Sequence, residues 1–276
     1  DHRITFVIPW MYRTIVGTTD TDYEGDLARP RATADDVGYL LDALSRAFPE
    51  QQLTESDVIS VQAGLRPLVN DPKGSSAAVS REDQVMESPS GLISIAGGKL
   101  TTYRRMAARV VDLVARRLSE QNVTGIGRCR TGSIPIGGQG EEQGFAPAGI
   151  DREQAAHLVH LYGAQASDVA EIAQSGATLR DRLVHDLPQI GAQVVYAVRN
   201  EMALTMSDVL VRRLRIANTD VSMGLRCVDA VADLMQPLLR WHAGERASQV
   251  GGYRRDLEQY AVPGRAVADE VRSLGT

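Results

Sequence analysis

Cysteine is scarce in this chain of 276 residues. Cys129 and Cys227 stand far apart, and neither has the CxxC neighbour that a zinc ribbon needs or the partners of a disulfide scaffold. A reducing, cytoplasmic setting fits that usage, and no metal site is expected. Long apolar runs are also missing: no stretch approaches the roughly 18 residues of a membrane span, so any membrane contact is expected to be peripheral. The opening Asp1-His2-Arg3 has no initiator Met and no signal-peptide character, and it leads straight into the strand-like Ile4-Thr-Phe-Val-Ile8, as expected of a fragment of a longer protein. Aromatic residues make up 5% of the chain, too few to suggest a base-stacking platform. Excess positive charge is absent, with 30 Lys+Arg against 35 Asp+Glu for a formal charge of −5, which argues against a nucleic-acid partner. What is present is an ordinary globular composition, 43% hydrophobic and 24% charged, in a length that suits about two domains.

The expected fold class is α+β. Residues 1–96 read as a β-rich segment, with β-branched runs at Ile4–Ile8, Thr14–Thr18, Val58–Ala63 and Leu92–Ala96 between Pro, Gly, Asp and Ser clusters. One amphipathic helix interrupts them and is expected to lie on a sheet. Thr33 and Asp36 form a capping-box pattern, and Val37, Leu40, Leu41, Leu44 and Phe48 recur at helical spacing before Pro49. Residues 97–122 hold a turn and a long helix over 101–119, with Leu100, Tyr103, Met106, Ala107, Val110, Val111, Val114 and Leu118 as its apolar stripe. Residues 123–149 are Gly-rich and read as a linker. Residues 150–276 read as an all-α domain, with helical patterns at 152–162, 165–174, 191–204, 206–215, 223–241 and 250–272.

Chemistry concentrates in Leu92-Ile-Ser-Ile-Ala-Gly-Gly-Lys99-Leu-Thr101-Thr102-Tyr103, which runs apolar strand, paired glycines, then helix start. Glycines let a ligand approach the backbone, and the free N–H groups and dipole of the helix start favour an anionic oxygen or an electron-rich ring edge. A tight turn that serves packing alone has the same composition. Ile93 and Leu100 stand where a phosphate-binding loop needs Gly and Ser/Thr, which excludes that device. Arg66 follows a strand-like run and precedes Pro67, so a stiff backbone aims its guanidinium, either at a phosphate or carboxylate or simply at solvent. Arg81 is a second cation, with Glu82 and Asp83 beside it as ready ion-pair partners. Gly17-Thr18-Thr19-Asp20 is common turn chemistry. His157 and His160 lack a third ligand at metal spacing. Arg212-Arg213-Leu214-Arg215 and Arg254-Arg255 read as solvated helix faces or as anionic-lipid contacts. No GxGxxG occurs, so a complete dinucleotide-binding unit is absent from this chain.

Taken together, Phe6-Val-Ile-Pro-Trp10, Gly17-Thr-Thr-Asp20, Gly64-Leu-Arg-Pro-Leu68, Gly97-Gly-Lys-Leu-Thr-Thr-Tyr103-Arg and the run Tyr196–Arg213 closely resemble the FAD-dependent glycerol-3-phosphate dehydrogenases. The resemblance covers nearly the whole chain. It implies the C-terminal half of such an enzyme: a remnant of the substrate-covering β-sheet, the flavin-contacting turn and helix, and an all-α C-terminal domain. It further implies FAD as cofactor, glycerol 3-phosphate as substrate, quinone as electron acceptor, and a cytoplasmic location peripheral to the inner face of the membrane. By the same resemblance Arg66 and Arg81 are substrate-phosphate contacts, and Lys99 is the catalytic lysine near substrate and flavin. Gly97, Gly98, Lys99, Leu100 and Thr101 are the flavin contacts. An N-terminal FAD-binding half would be missing, leaving the chain inactive alone. Two rival readings stand beside this one: another FAD-dependent oxidase of the same architecture, or a noncatalytic module that docks to a membrane or partner.

Overall fold

The computed structural model describes residues 4–66, 82–138 and 144–265. Two compact units are distinguished, one formed by residues 1–64 with 137–276 and the other by residues 65–136.

In the first unit, β1 (Phe6–Trp10) and β2 (Arg13–Gly17) form an antiparallel hairpin with Trp10 opposite Arg13. The two turn residues, Met11 and Tyr12, both have positive φ, 43° and 70°, the twist that joins two right-twisted strands but one that non-glycine residues adopt at a cost. Contacts to the helical body hold this turn in place. Arg13 donates from Nε to the Thr219 carbonyl at 2.8 Å and pairs with Asp186, and the Arg215 guanidinium lies 5.5 Å from the centre of the Trp10 ring.

Helix α1 (Ala34–Ala47) starts at the expected capping box: the Asp36 N–H donates to Thr33 Oγ1, and the Thr33 N–H donates to the Asp36 carboxylate. It buries Val37 and Leu44 and packs mainly against the 3₁₀ turns Pro49–Gln51 and Glu55–Asp57, which take the place of the expected sheet. The run Val58–Ala63 is extended but not a strand. Its backbone is tied instead to the C-terminal end of the unit, with the Val61 N–H donating to the Tyr260 carbonyl at 2.9 Å and Arg265 donating to the Val58 carbonyl at 2.8 Å.

The helical body comprises α3 (Arg152–Tyr162), α4 (Ala166–Gln174), α5 (Gly191–Asn200), a π-helical segment (Asp208–Arg213), α6 (Ile216–Thr219), α7 (Val228–Leu239) and α8 (Ala243–Leu257). Its larger core gathers Met206, Leu210, Leu214, Ile216, Met235 and Tyr253. A smaller one joins α3, α4 and α5 through Leu158, Val169 and Tyr196, and Tyr162 meets Tyr196 edge-on at 5.2 Å. Apolar burial of this kind dominates folding. Among the described residues, nearly all of the buried hydrophobic ones lie between Ala155 and Val262.

The second unit pairs β3 (Gln84–Glu87) antiparallel with β4 (Ile93–Ala96), Gln84 standing opposite Ala96. A 3₁₀ turn, Leu100–Thr102, then leads into α2 (Tyr103–Glu120). Arg117 pairs with Glu87 at 2.7 Å, and Arg104 donates to the Thr131 hydroxyl at 2.7 Å, which brings the segment after the helix back alongside it. No residue of α2 is buried. Its expected apolar stripe is instead left largely open, with Val111 at 59% exposure.

Candidate functional site

The turn between β4 and α2 is built by two consecutive glycines, Gly97 at φ +77° and Gly98 at φ +78°. Other L-residues pay about 1–2 kcal/mol for each such conformation, so the backbone reversal depends on both being glycine. Lys99 returns to extended geometry (φ −117°, ψ 144°) and precedes the 3₁₀ turn. Thr102 locks the turn: its N–H donates to the Lys99 carbonyl at 3.0 Å and its hydroxyl to the same oxygen at 2.9 Å. Leu100 and Thr101 open the helical segment, where first-turn N–H groups have no acceptor within the helix.

Within the chain segment that forms this helix start the side-chain charges are positive, while the Asp83 carboxylate behind the turn is paired with Arg109. No acidic residue lies in the first turn of α2, and Lys99, Arg104 and Arg105 are close by in sequence. The dipole and the side chains therefore favour an anion or a ring edge that gathers negative charge. The surface is open: Lys99 and Thr101 are exposed, and Leu100 is 87% exposed. Behind the turn there is no space. A Cβ on Gly98 would stand 2.6 Å from the Met106 thioether and 3.2 Å from Asp83 Cβ.

The structure thus groups Gly97, Gly98, Lys99, Leu100 and Thr101 at one turn. Arg66 is exposed at the end of the extended run after Val58. Arg81 lies outside the described residues, as do Pro67 and Leu68. Asp83, Thr102 and Met106 stand in the sequence as an ion-pair partner for Arg81, a helix-start hydroxyl and a stripe residue, and their role as supports of this turn emerges only from the fold. Thr102, three residues after Lys99, was the one signal available, because a hydroxyl at that spacing can close a turn.

Other sequence candidates take structural roles. His157 is buried and meets the Gln193 carboxamide at 3.3 Å, whereas His160 is exposed. No cluster of potential metal ligands occurs among the described residues. Arg212 pairs with Asp208, Arg213 donates to the Glu201 carbonyl and Arg215 covers Trp10, so all three arginines of that run are engaged within their own unit. An open cleft of about 590 Å³ lies between Gly149–Asp151 and Arg180–Arg182, away from the glycine turn in sequence. Arg182 on its wall is already paired with Asp151 and Glu153, each at 2.7 Å. No described helix is long and apolar enough to cross a membrane.

Comparison with known proteins gives these features a context. Residues 1–104 match the family described as FAD dependent oxidoreductase, and residues 129–246 match the C-terminal domain of alpha-glycerophosphate oxidase. The class these matches define is that of the FAD-dependent oxidoreductases. Aerobic glycerol-3-phosphate dehydrogenase of Bacillus subtilis is 35% identical over 280 residues, covering 95% of this chain and 50% of that protein. Glycerol-3-phosphate dehydrogenase 2 of Mycobacterium bovis is 35% identical over 285 residues, covering 99% and 48%. The glycerol-3-phosphate dehydrogenase of Bacillus halodurans, solved with FAD, superposes with a TM-score of 0.75 at 32% identity, over 96% of this chain and 53% of that one. Over nearly its whole length the chain is thus similar to FAD-dependent glycerol-3-phosphate dehydrogenases. It spans about half the length of the curated relatives it matches.

Proposed function

We propose that this chain is the substrate- and flavin-facing C-terminal half of an enzyme that oxidises sn-glycerol 3-phosphate to dihydroxyacetone phosphate. The observation that carries the reading is the left-handed Gly97–Gly98 turn set before a helix start that lacks acidic residues. The turn fits the cofactor: two left-handed glycines reverse the backbone there, and the amides of Gly98 through Thr101 suit the electron-rich edge of a flavin. Bound FAD would supply the hydride acceptor.

This chain's own residues bind and orient. Arg66, with Arg81 as a second cation, holds the substrate phosphate. Lys99 brings an ammonium to the same region, where it assists phosphate binding and offsets negative charge that develops during the reaction. Quinone is the proposed electron acceptor, at a membrane surface that the protein meets peripherally. The proposed segments are the β-rich substrate segment 1–96, the flavin-contacting turn and helix 97–122, the linker 123–149 and the helical domain 150–276.

The remaining half of the enzyme is the proposed partner of this one. Support comes from the apolar side chains left open before residue 137, including Ile4, Phe6, Leu92, Leu100 and Val111, in contrast to the well-filled helical body. Alone, the chain is proposed to be inactive.

Steady-state kinetics of the full-length enzyme test these assignments. Replacing Arg66 by Ala removes a charge-assisted phosphate contact and is expected to raise KM for glycerol 3-phosphate by about 10- to 100-fold. An unchanged KM would remove Arg66 from the substrate site. Lys99→Ala is expected to lower kcat/KM, and unchanged turnover and affinity would remove Lys99.

A further inference from the structure

The glycine turn is braced from behind by side chains that have no role in the chemistry proposed above. Asp83 immediately precedes Gln84, whose strand partner Ala96 immediately precedes Gly97. Asp83 therefore sits across the end of the hairpin from the turn, and its Cβ is 3.2 Å from the position a Gly98 Cβ would take. Its carboxylate, 16% exposed, pairs with Arg109 on α2. Met106 is three residues before Arg109, on the same face of the helix, and its thioether fills the space directly behind Gly98. The Thr102 hydroxyl lies 3.5 Å from that sulfur and donates to the Lys99 carbonyl. One ion pair thus ties the strand side of the turn to its helix side, with Met106 wedged between them.

We infer that Asp83 is a positioning residue, whose ion pair with Arg109 sets the direction of the Gly98–Thr101 amides and of Lys99 towards the flavin. The inference rests on the flavin-facing reading of that turn. Arg109 is 53% exposed, and exposed ion pairs contribute little to global stability. Placement is far more sensitive, because a small displacement of an oriented group weakens what it binds.

The test uses the full-length holoenzyme and its apoprotein with Asp83→Ala, Arg109→Ala, the double variant and Arg109→Lys. Three readouts are compared: the FAD dissociation constant, the flavin midpoint potential, and amide hydrogen exchange over residues 97–102. Each single alanine variant is expected to raise the FAD dissociation constant about fivefold. Each should also move the potential to more negative values and speed exchange at the turn, with the melting temperature nearly constant. The double variant should be no worse than either single one, and Arg109→Lys should restore most of the loss. Additive losses, or faster exchange spread evenly over residues 82–136, would overturn the inference. So would unchanged FAD affinity and potential in both single variants alongside a clear loss in Gly98→Ala. If Gly98→Ala also binds FAD normally, the flavin-facing reading of the turn fails with it.

Discussion

His157 shows how one side chain can be fixed by its neighbours' remaining hydrogen-bond capacity. The Gln193 carboxamide oxygen accepts the Ile190 N–H at 2.9 Å, so its nitrogen must face Tyr162 Oη and His157 Nε2, at 3.2 and 3.3 Å. His157 Nε2 is therefore an acceptor, a role that only the neutral ring can fill. Burial and the nearby His160 both disfavour its protonated form and push its pKa down from 6.5 to about 4. The unfolded chain takes up this proton at higher pH than the folded one, so stability falls as pH drops from about 6.5 towards 4, by at most about 3 kcal/mol. Urea melts between pH 4 and 7.5 should show this fall, and it should be reduced in His157→Gln. An identical pH profile for that variant would contradict the assignment. Asp220 offers a second test at this scale. Its fully buried carboxylate binds Ser222, the Gly224 N–H and Arg226. Asp220→Ala should cost about 3 kcal/mol or more in denaturant melts, because buried donors lose their acceptor. A loss well under 1 kcal/mol would refute that role.

At the level of elements, α1 depends on its ends more than on its core. It buries only Val37 and Leu44, so the Thr33–Asp36 capping box is a large part of what defines the helix. Thr33→Ala should destabilise it by about 1 kcal/mol, read as faster amide exchange in residues 34–38, and unchanged exchange would contradict this. That helix was legible because its cap, its periodicity and the stop at Pro49 all lie within it or within two residues of its ends. The strands β1 and β2, though not their pairing, and helices α2, α3 and α5 were legible from local pattern in the same way. Val58–Ala63 has strand composition, but a strand needs a partner strand, and its backbone instead meets Tyr260 and Arg265, two hundred residues away in sequence. Strand β3 is only four residues long, with polar Gln84 and Glu87 at its ends, and only its pairing with β4 reveals it. Helix α8 begins at Ala243, earlier than its apolar pattern suggests, because the ring nitrogen of His242 caps it by accepting the Glu245 N–H. The π-helical segment 208–213 carries an ordinary helical pattern that gives no sign of its wider turn.

Over the whole molecule, burial divides the chain in a way that sequence composition does not. Residues 155–262 hold a packed core, whereas the segments before residue 137 keep large apolar side chains open, Ile4 at 73% exposure among them. Hydrophobic surface of this kind is expected to be covered by further protein. The site follows the same division. Its glycine turn could be read from strand, paired glycines and helix start, but its supports at Asp83 and Met106 required the fold, and Arg81, one of the two proposed substrate cations, lies outside the described residues. In the full-length protein this turn and its cations are proposed to serve flavin-linked oxidation of glycerol 3-phosphate. The visible spectrum of that protein before and after anaerobic addition of glycerol 3-phosphate decides the matter. Flavin absorbance is expected to bleach on addition, and to bleach more slowly in Lys99→Ala. Flavin absorbance that glycerol 3-phosphate leaves unchanged would contradict that role.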